Sequence, residues 1–237
     1  MIQVTKRDGR KETLDIEKLH KVVFYACEDI TGVSPSEVEL KSQIQFYNGI
    51  TSKEIQETLI KAAADLINED TPNYQYVGGR LINYALRKEV YGEYEPPKLY
   101  EIVKKNVELG MYTGELLEWY TEDEWNIIDL FIDHDRDQNY TYAAIAQLCE
   151  KYLVQNRATG TIYETPQVRY MVAAATVFHK EEPQQARMRL IKDYYACASE
   201  GLFTLATPVL AGLGTPTKQF SSCVLIKSDD DLDSIFA

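Results

Sequence analysis

The sequence is poor in the residues that build metal sites and disulfide frameworks. Its 237 residues include only four cysteines and three histidines, and no two cysteines form a CxxC pair. This spacing argues against a zinc ribbon and against a secreted fold held by disulfides. The sequence has no apolar run of about eighteen residues, so we expect no transmembrane helix. The polar N-terminus, MIQVTKRDGRKETLD, is unlike a secretory signal, and we expect a cytoplasmic protein, or one in the host cytoplasm if its source is viral.

Positive charge is also scarce. The chain has 25 Lys and Arg residues against 37 Asp and Glu residues, a net charge of −12, which argues against nucleic acid as a partner of the surface as a whole. The deficit is uneven, because residues 1–92 carry 12 basic and 14 acidic side chains, a net of −2, whereas residues 93–237 carry 13 and 23, a net of −10. The first third is therefore the more favourable place for a polyanionic ligand.

The first 92 residues have the pattern of a hairpin followed by four helices. The dipeptide Asp8-Gly9 lies between two β-favouring segments, Ile2 to Thr5 and Lys11 to Leu14, which predicts a tight turn. The third helix is expected to reach about Asn68, and Gly92 can end the fourth in a left-handed conformation. Each helix follows a capping residue; these residues are Asp15, Ser34, Thr51 and Thr71.

Helical patterns continue over residues 97–199. Thr121 begins another capping box and Pro166 opens a long helix, while Thr159-Gly160 predicts a second hairpin. The acidic run from Asp129 to Asp137 is typical of a solvated connector. These patterns predict a second, mainly helical unit.

The helical pattern ends near Gly201. The segment LFTLATPVLAGLGTPTKQFSSCVLI contains two short apolar runs around a loop of Gly, Pro and Thr, and both runs favour strand. The other three cysteines, Cys27, Cys149 and Cys197, lie in helical patterns, where we expect buried structural thiols.

Candidate residues for binding a polyanion occur near the N-terminus. Lys6 and Arg7 lie at the rim of the first hairpin, where they can contact a triphosphate. Glu12 and Asp15 follow, with oxygens suited to ribose or base. Lys88 would add a cation if the fourth helix folds back beside the hairpin. A solvated hairpin edge is the alternative interpretation of such a basic pair.

Three segments, VTKRDG, TSKEIQETLIKAAADLI and YQYVGGRLINYALRKEVYG, resemble the ATP-cone domain of ribonucleotide reductase large subunits. The resemblance implies a site for ATP or dATP with Mg²⁺. One departure is Gln56, which replaces a histidine usual in dATP-inhibited bacterial enzymes. Because a neutral amide cannot make a charge-assisted contact to phosphate, this departure argues against dATP inhibition. By the same resemblance, the residues at nucleotide-contacting positions are Lys6, Arg7, Glu12, Ser52, Tyr84 and Lys88.

The C-terminal segment TPVLAGLGTPTKQFSSCVLI resembles the opening of the catalytic barrel in class I reductase large subunits. YGEYEPP, FIDHDRD and KYLVQNRATGTIYETPQ extend the resemblance along the chain. It implies that Cys223 is one of two cysteines that reduce the ribonucleotide, and that Thr207 and Ser222 bind substrate. Asp230 and Leu232 match positions near the specificity effector, although an acidic helix entry explains them equally well. Without that context, a lone cysteine such as Cys223 is usually a packing residue.

The resemblance also implies a set of partners. In this family a radical cofactor in a separate small subunit starts the reaction on a nucleoside diphosphate, and thioredoxin or glutaredoxin re-reduces the cysteines. The remaining catalytic residues would lie beyond Ala237, so we expect a complementary C-terminal polypeptide and no reduction by this chain alone. We expect no metal site, no direct nucleic-acid partner and no membrane partner.

Two other functions remain open. The chain could be a stand-alone nucleotide sensor whose residues 93–237 are only an interaction surface. A DNA-binding regulator with an ATP cone is disfavoured by the acidic charge and by the lack of CxxC pairs.

The expected fold class is therefore mainly α. We expect an ATP-cone hairpin and four helices over residues 1–95, a second helical domain over 96–200, and the first strands of an incomplete α/β barrel over 201–237.

Overall fold

The computed structural model describes residues 2–6, 8–43 and 45–236, which are mainly helical. The chain begins with strands β1 (Gln3–Thr5) and β2 (Lys11–Thr13), which pair antiparallel. Gly9, near the tip of their turn, has a φ of 82°, a left-handed conformation that glycine adopts at no steric cost. The predicted first hairpin is confirmed.

The four predicted helices follow. They are α1 (Ile16–Cys27), α2 (Pro35–Gln43), α3 (Ser52–Ala64) and α4 (Tyr74–Tyr91). Thr51 and Glu54 form a reciprocal capping box at the start of α3, and Gly92, with a φ of 81°, ends α4. The first apolar core lies among these helices and includes Val23, Val38 and Leu59.

Helix α3 ends at Ala64, so its predicted extension to Asn68 is wrong. The N–H groups of Leu66 and Ile67 bond to carbonyls three residues earlier, which tightens the chain into turns. The Thr71 hydroxyl then donates to the Leu66 carbonyl at 2.7 Å and satisfies an acceptor that a longer helix would use.

The second half of the chain is built around Trp125, Val168 and Met171, which are fully buried in a second apolar core. Its first helices are α5 (Leu99–Glu108), α6 (Glu115–Trp119), α7 (Glu122–Asp129), a 3-10 helix (His134–Asn139) and α8 (Tyr142–Gln147), which continues as a π turn (Leu148–Tyr152). Strands β3 (Gln155–Asn156) and β4 (Thr161–Ile162), α9 (Pro166–Phe178), α10 (Gln184–Ser199), α11 (Thr207–Gly212) and α12 (Leu232–Phe236) complete it.

The acidic run is not a solvated connector along its whole length. Asp137 is fully buried, and its Oδ1 accepts a hydrogen bond from Gln167 Nε2 at 2.9 Å. The segment forms the 3-10 helix and packs against α4 and α9. Charge composition alone missed this because the contacts come from helices distant in sequence.

The strands predicted after Gly201 are also wrong for the described residues. The first apolar run contains α11, and residues 220–228 form neither helix nor strand. A strand needs a neighbour to pair its backbone groups, and among the described residues no backbone hydrogen bond joins residues 220–228 to another segment.

The thiol prediction holds in part. Cys27 is buried, whereas Cys149 and Cys197 are half-buried. Across the described residues, every helix is too short or too polar to cross a membrane.

Candidate nucleotide-binding cleft and the Cys223 segment

A cleft of about 720 Å³ opens between the first hairpin, α1, α3 and α4. Five of the six residues predicted to contact the activity effector line it: Lys6, Glu12, Ser52, Tyr84 and Lys88. The sixth, Arg7, lies outside the described residues. Lys88 was expected to join this site only if the fourth helix folds back beside the hairpin. Helix α4 does so, and Lys88 lines the cleft.

The hairpin wall carries paired charges. Lys6 Nζ lies 2.6 Å from Glu12 Oε1, and this hydrogen bond lowers the pKa of Glu12. Both side chains are partly exposed, and exposed ion pairs contribute little to stability. Lys6 can therefore exchange its carboxylate partner for a phosphate at small cost.

The helical wall combines an aromatic ring with a cation. Tyr84 and Lys88 are one turn apart on α4 and so share a face. Lys88 Nζ lies 5.6 Å from the centroid of the Tyr84 ring. A flat apolar surface beside an ammonium group suits a ligand with an aromatic base and anionic oxygens.

The floor of the cleft is formed by α3. Ser52 is the first residue of this helix, directly after the Thr51 cap, where backbone N–H groups favour anions. Gln56 lies one turn further on and also lines the cleft. Its Nε2 donates to the Leu81 carbonyl of α4 at 3.0 Å, so the amide fastens α3 to α4.

Sequence reasoning missed two further cations of the cleft, Arg10 and Lys18. Arg10 Nε lies 2.6 Å from Asp8 Oδ2, and Lys18 Nζ lies 3.6 Å from Asp15 Oδ2. Asp15 caps α1, and the N–H of Lys18 lowers its pKa. The position of Lys18 in the first turn after a predicted cap, on the side of the hairpin, was the available signal.

The segment around Cys223, residues 220–228 (the Cys223 segment), is exposed and does not form a cleft of this kind. Cys223 is exposed, and its Sγ lies 3.7 Å from Ser222 Oγ. Thr207 begins α11 and its hydroxyl donates to Tyr152 Oη at 3.2 Å. In the part of the chain that the structure describes, no hydrogen bond joins Thr207 to Ser222 or Cys223, so the three residues are not assembled into one site.

The two candidates for a specificity effector lie at the start of α12. Leu232 is its first residue and is exposed, as is Asp230. Asp231 Oδ1 accepts from the Ser234 N–H at 2.8 Å. This local geometry is that of an acidic helix entry, the alternative interpretation of the sequence.

Two protein families match separate parts of the chain: the ATP cone domain over residues 2–89 and the ribonucleotide reductase all-alpha domain over residues 138–218. The chain is 52% identical over 234 residues to ribonucleoside-diphosphate reductase 1 subunit alpha of Escherichia coli (strain K12). It is 51% identical over 236 residues to ribonucleoside-diphosphate reductase subunit alpha of Haemophilus influenzae, and 41% identical over 237 residues to the subunit alpha of Enterobacteria phage T4.

These matches cover 99–100% of this chain but only 31% of each relative. The chain therefore contains an ATP cone and a reductase all-alpha domain, and it is homologous to the N-terminal portion of ribonucleoside-diphosphate reductase alpha subunits.

Proposed function

We propose that this chain is the N-terminal part of a ribonucleoside-diphosphate reductase large subunit, acting in the cytoplasm, and that it contributes an effector-binding domain and one redox-active cysteine. The observation that carries the proposal is the cleft where Lys6, Ser52 and Lys88 meet from three different elements. We assign residues 1–95 to the effector domain, 96–200 to a helical domain and 201–237 to the start of the catalytic barrel.

The effector is ATP or dATP, bound with its Mg²⁺. Lys6, Arg7 and Lys88 contact the phosphates. Glu12 accepts from the ribose, Ser52 donates near the start of α3, and the Tyr84 ring packs on the base. The support for these roles is the shared cleft, its volume of about 720 Å³ and the chemistry of its walls.

Calorimetric titration of the whole chain with Mg-ATP tests this site. We expect binding by the wild type and at least tenfold weaker binding for Lys6→Met and Lys88→Met, because each loses a charge-assisted contact of about 1.5–3 kcal/mol. Lys104→Met is the matched control, since this lysine lies over the Tyr100 ring on α5. Equal affinity in all four proteins would contradict the assignment.

The second contribution is the thiol of Cys223. In the reaction a ribonucleoside diphosphate and two thiols give the deoxyribonucleoside diphosphate, water and a disulfide. Cys223 supplies one thiol, and the other comes from a complementary C-terminal polypeptide. Thr207 and Ser222 bind the substrate once that polypeptide assembles the barrel. The radical cofactor belongs to a separate small subunit, and thioredoxin or glutaredoxin restores the thiols by exchange.

The apolar side chains that follow Cys223 are exposed in this chain, which supports the proposal that the complementary polypeptide covers them in the assembled barrel. Val224, Leu225 and Ile226 are 68%, 102% and 84% exposed, and contiguous apolar exposure marks an interaction surface. We also propose that Asp230 and Leu232 approach a specificity effector in that assembly.

Substituting Cys223→Ser in the reconstituted complex tests the catalytic role. We expect loss of deoxyribonucleotide formation with unchanged ATP affinity, because the cleft lies elsewhere in the chain. Full turnover by the variant would overturn the role of Cys223.

That outcome would favour a stand-alone nucleotide sensor. One observation supports this second candidate, because all residues that line the cleft lie between Val4 and Gly92. The site therefore does not require the Cys223 segment.

A further inference from the structure

Polar side chains without partners are concentrated where α4 meets the 3-10 helix. Nine buried side-chain N and O atoms of the described residues have no hydrogen-bond partner, and six of them lie at this junction. An unpartnered buried polar atom costs about 1–3 kcal/mol, so the junction can rearrange more readily than the apolar cores beside it. The six atoms belong to Asn83, Arg87, His134, Asp137 and Gln138.

Tyr94 connects this junction to the cleft. Its ring stacks on that of Tyr84, with centroids 5.6 Å apart and planes at 29°. Its hydroxyl accepts from Gln138 Nε2 at 2.6 Å and shares a hydrogen bond with the Tyr25 hydroxyl at 2.5 Å. The Arg87 guanidinium lies 4.8 Å from the ring centroid. A single side chain thus contacts α1, α4 and the 3-10 helix.

The contact with Tyr84 gives Tyr94 a direct connection to the ligand site. Tyr84 lines the cleft, and Lys88 lies over its ring. A ligand that packs on Tyr84 and attracts Lys88 restricts the ring on which Tyr94 stacks. The Tyr94 hydroxyl then restricts the amide of Gln138.

We propose that Tyr94 transmits occupancy of the cleft to the 3-10 helix, through its stacking on Tyr84 and its hydrogen bond with Gln138. The inference rests on the proposed function of the cleft as a nucleotide site. Ordering one site reduces the entropy cost of ordering the other, and such coupling is reciprocal. Ligand binding therefore stabilises the segment that contains Asp137, and Asp137 accepts a hydrogen bond from Gln167 of α9.

A second set of hydrogen bonds, made by Arg80, also connects the 3-10 helix to α4 and does not involve Tyr94. Arg80 Nη1 donates to the Glu28 carbonyl at 2.5 Å, and Arg80 Nε donates to the Gln138 carbonyl at 3.3 Å. This arginine joins the backbone of the 3-10 helix to α4 and to the residue that follows α1, through bonds that do not involve Tyr94. The hydroxyl of Tyr94 instead acts on the Gln138 side chain, whose Oε1 has no partner.

Hydrogen exchange of the whole chain, with and without Mg-ATP, tests the proposal. In the wild type we expect slower exchange in α3 and in the last turns of α4, and a slowing of about fivefold or more over residues 133–140, the lower end of typical allosteric coupling. Tyr94→Phe keeps the ring but removes the hydroxyl, and Gln138→Met removes the donor from the other side. Both variants should keep the protection at the cleft and lose it over residues 133–140. Tyr100→Phe on α5 is the matched control and should behave as the wild type.

The outcomes separate the two proposals. Protection at the cleft with unchanged exchange over residues 133–140 in the wild type overturns the role of Tyr94 and leaves nucleotide binding intact. Retained protection over residues 133–140 in both variants does the same. Absence of binding and of protection everywhere overturns the nucleotide site itself, and with it the coupling.

Discussion

Asp137 is a carboxyl group enclosed on all sides by protein. Burial raises its pKa to about 7, although the Gln167 hydrogen bond and Arg87 oppose the shift; the nearby charges of Asp133 and Asp135 add to it. Its neighbour His134 shifts in the opposite sense, because burial lowers its pKa from 6.5 to about 4. Two residues of the same 3-10 helix thus change the pH dependence of stability in opposite directions.

The signs follow from proton binding in the two states. Between about pH 4 and 7 the folded chain keeps a proton on Asp137 that the unfolded chain has released, so this contribution to stability is lost as pH rises. The unfolded chain holds the extra proton on His134 between about pH 4 and 6.5, so that contribution grows as pH rises.

We therefore expect Asp137→Asn to become more stable relative to the wild type as pH rises from 4 to 7. The gain should reach at least about 1.4 kcal/mol, the free energy of one pKa unit, because the amide never ionises. Urea unfolding at a series of pH values measures it. Asp135→Asn, at an exposed neighbour, should show a small difference at every pH. A constant gain for Asp137→Asn would contradict the shifted pKa.

By its resemblance to the ATP-cone domain, the sequence is expected to depart at Gln56 from the pattern of dATP-inhibited enzymes. Its amide is used to bond Leu81 and carries no charge. Gln56→His should bind dATP about tenfold more tightly at pH 6 than at pH 8, because imidazole is cationic only below about 6.5. Titration of wild type and variant with dATP at both pH values measures this. The expectation is wrong if the variant shows the same pH dependence as the wild type.

At the scale of elements, α4 is shared by both halves of the molecule. It packs against α3 on one side and against α8 on the other. The pair Gly78-Gly79 permits this approach, since a Cβ on Gly79 would lie 2.0 Å from the Tyr140 carbonyl oxygen and one on Gly78 would lie 3.2 Å from the Tyr142 ring.

Gly79→Ala should destabilise the chain by about 1–3 kcal/mol or more, because the methyl group meets backbone rather than a flexible side chain. Thermal or urea unfolding measures the loss. Gly114→Ala is the matched control, since a Cβ there meets nothing within 4 Å and the backbone is already helical, with a φ of −61°. Equal stability of the two variants would contradict the close approach.

The elements that the sequence predicted are those specified by local chemistry. The Thr51 and Thr121 capping boxes, Gly9 and Gly92 lie where their short-range patterns place them. Burial of Asp137 depends on Gln167, which is 30 residues away, and no local pattern contains that contact. The run around Cys223 has strand propensity, but propensity forms a strand only beside a partner.

The candidate cleft was predictable to the extent that its residues follow the pattern of a known domain. Five of its six predicted residues share one cavity. Arg10 and Lys18 were missed because their position depends on how the hairpin lies against α1. Tyr94 was missed because its role depends on three helical segments that meet only in the folded chain.

At the scale of the whole molecule, the chain spans 29–31% of the length of the relatives it matches. Its exposed apolar segment and its exposed cysteine lie together. In the proposed enzyme both are covered by a complementary polypeptide.

Thiol labelling tests whether the complementary polypeptide covers Cys223. In the isolated chain at pH 8, Cys223 should be alkylated well before Cys27 and Cys149, because burial raises the pKa of those thiols to about 11 and about 12. Addition of the complementary polypeptide should slow labelling of Cys223 at least tenfold. An unchanged rate in a complex shown to have formed would contradict a shared active site.

We propose that the first third of the chain is a working nucleotide site, and a crystal structure of the chain with Mg-ATP would show whether nucleotide binds there. We predict a nucleotide in the cleft, with phosphates between Lys6 and Lys88 and the base against Tyr84. Well-ordered crystals with nucleotide bound elsewhere, or with an empty cleft at saturating Mg-ATP, would rule out a nucleotide site in this cleft.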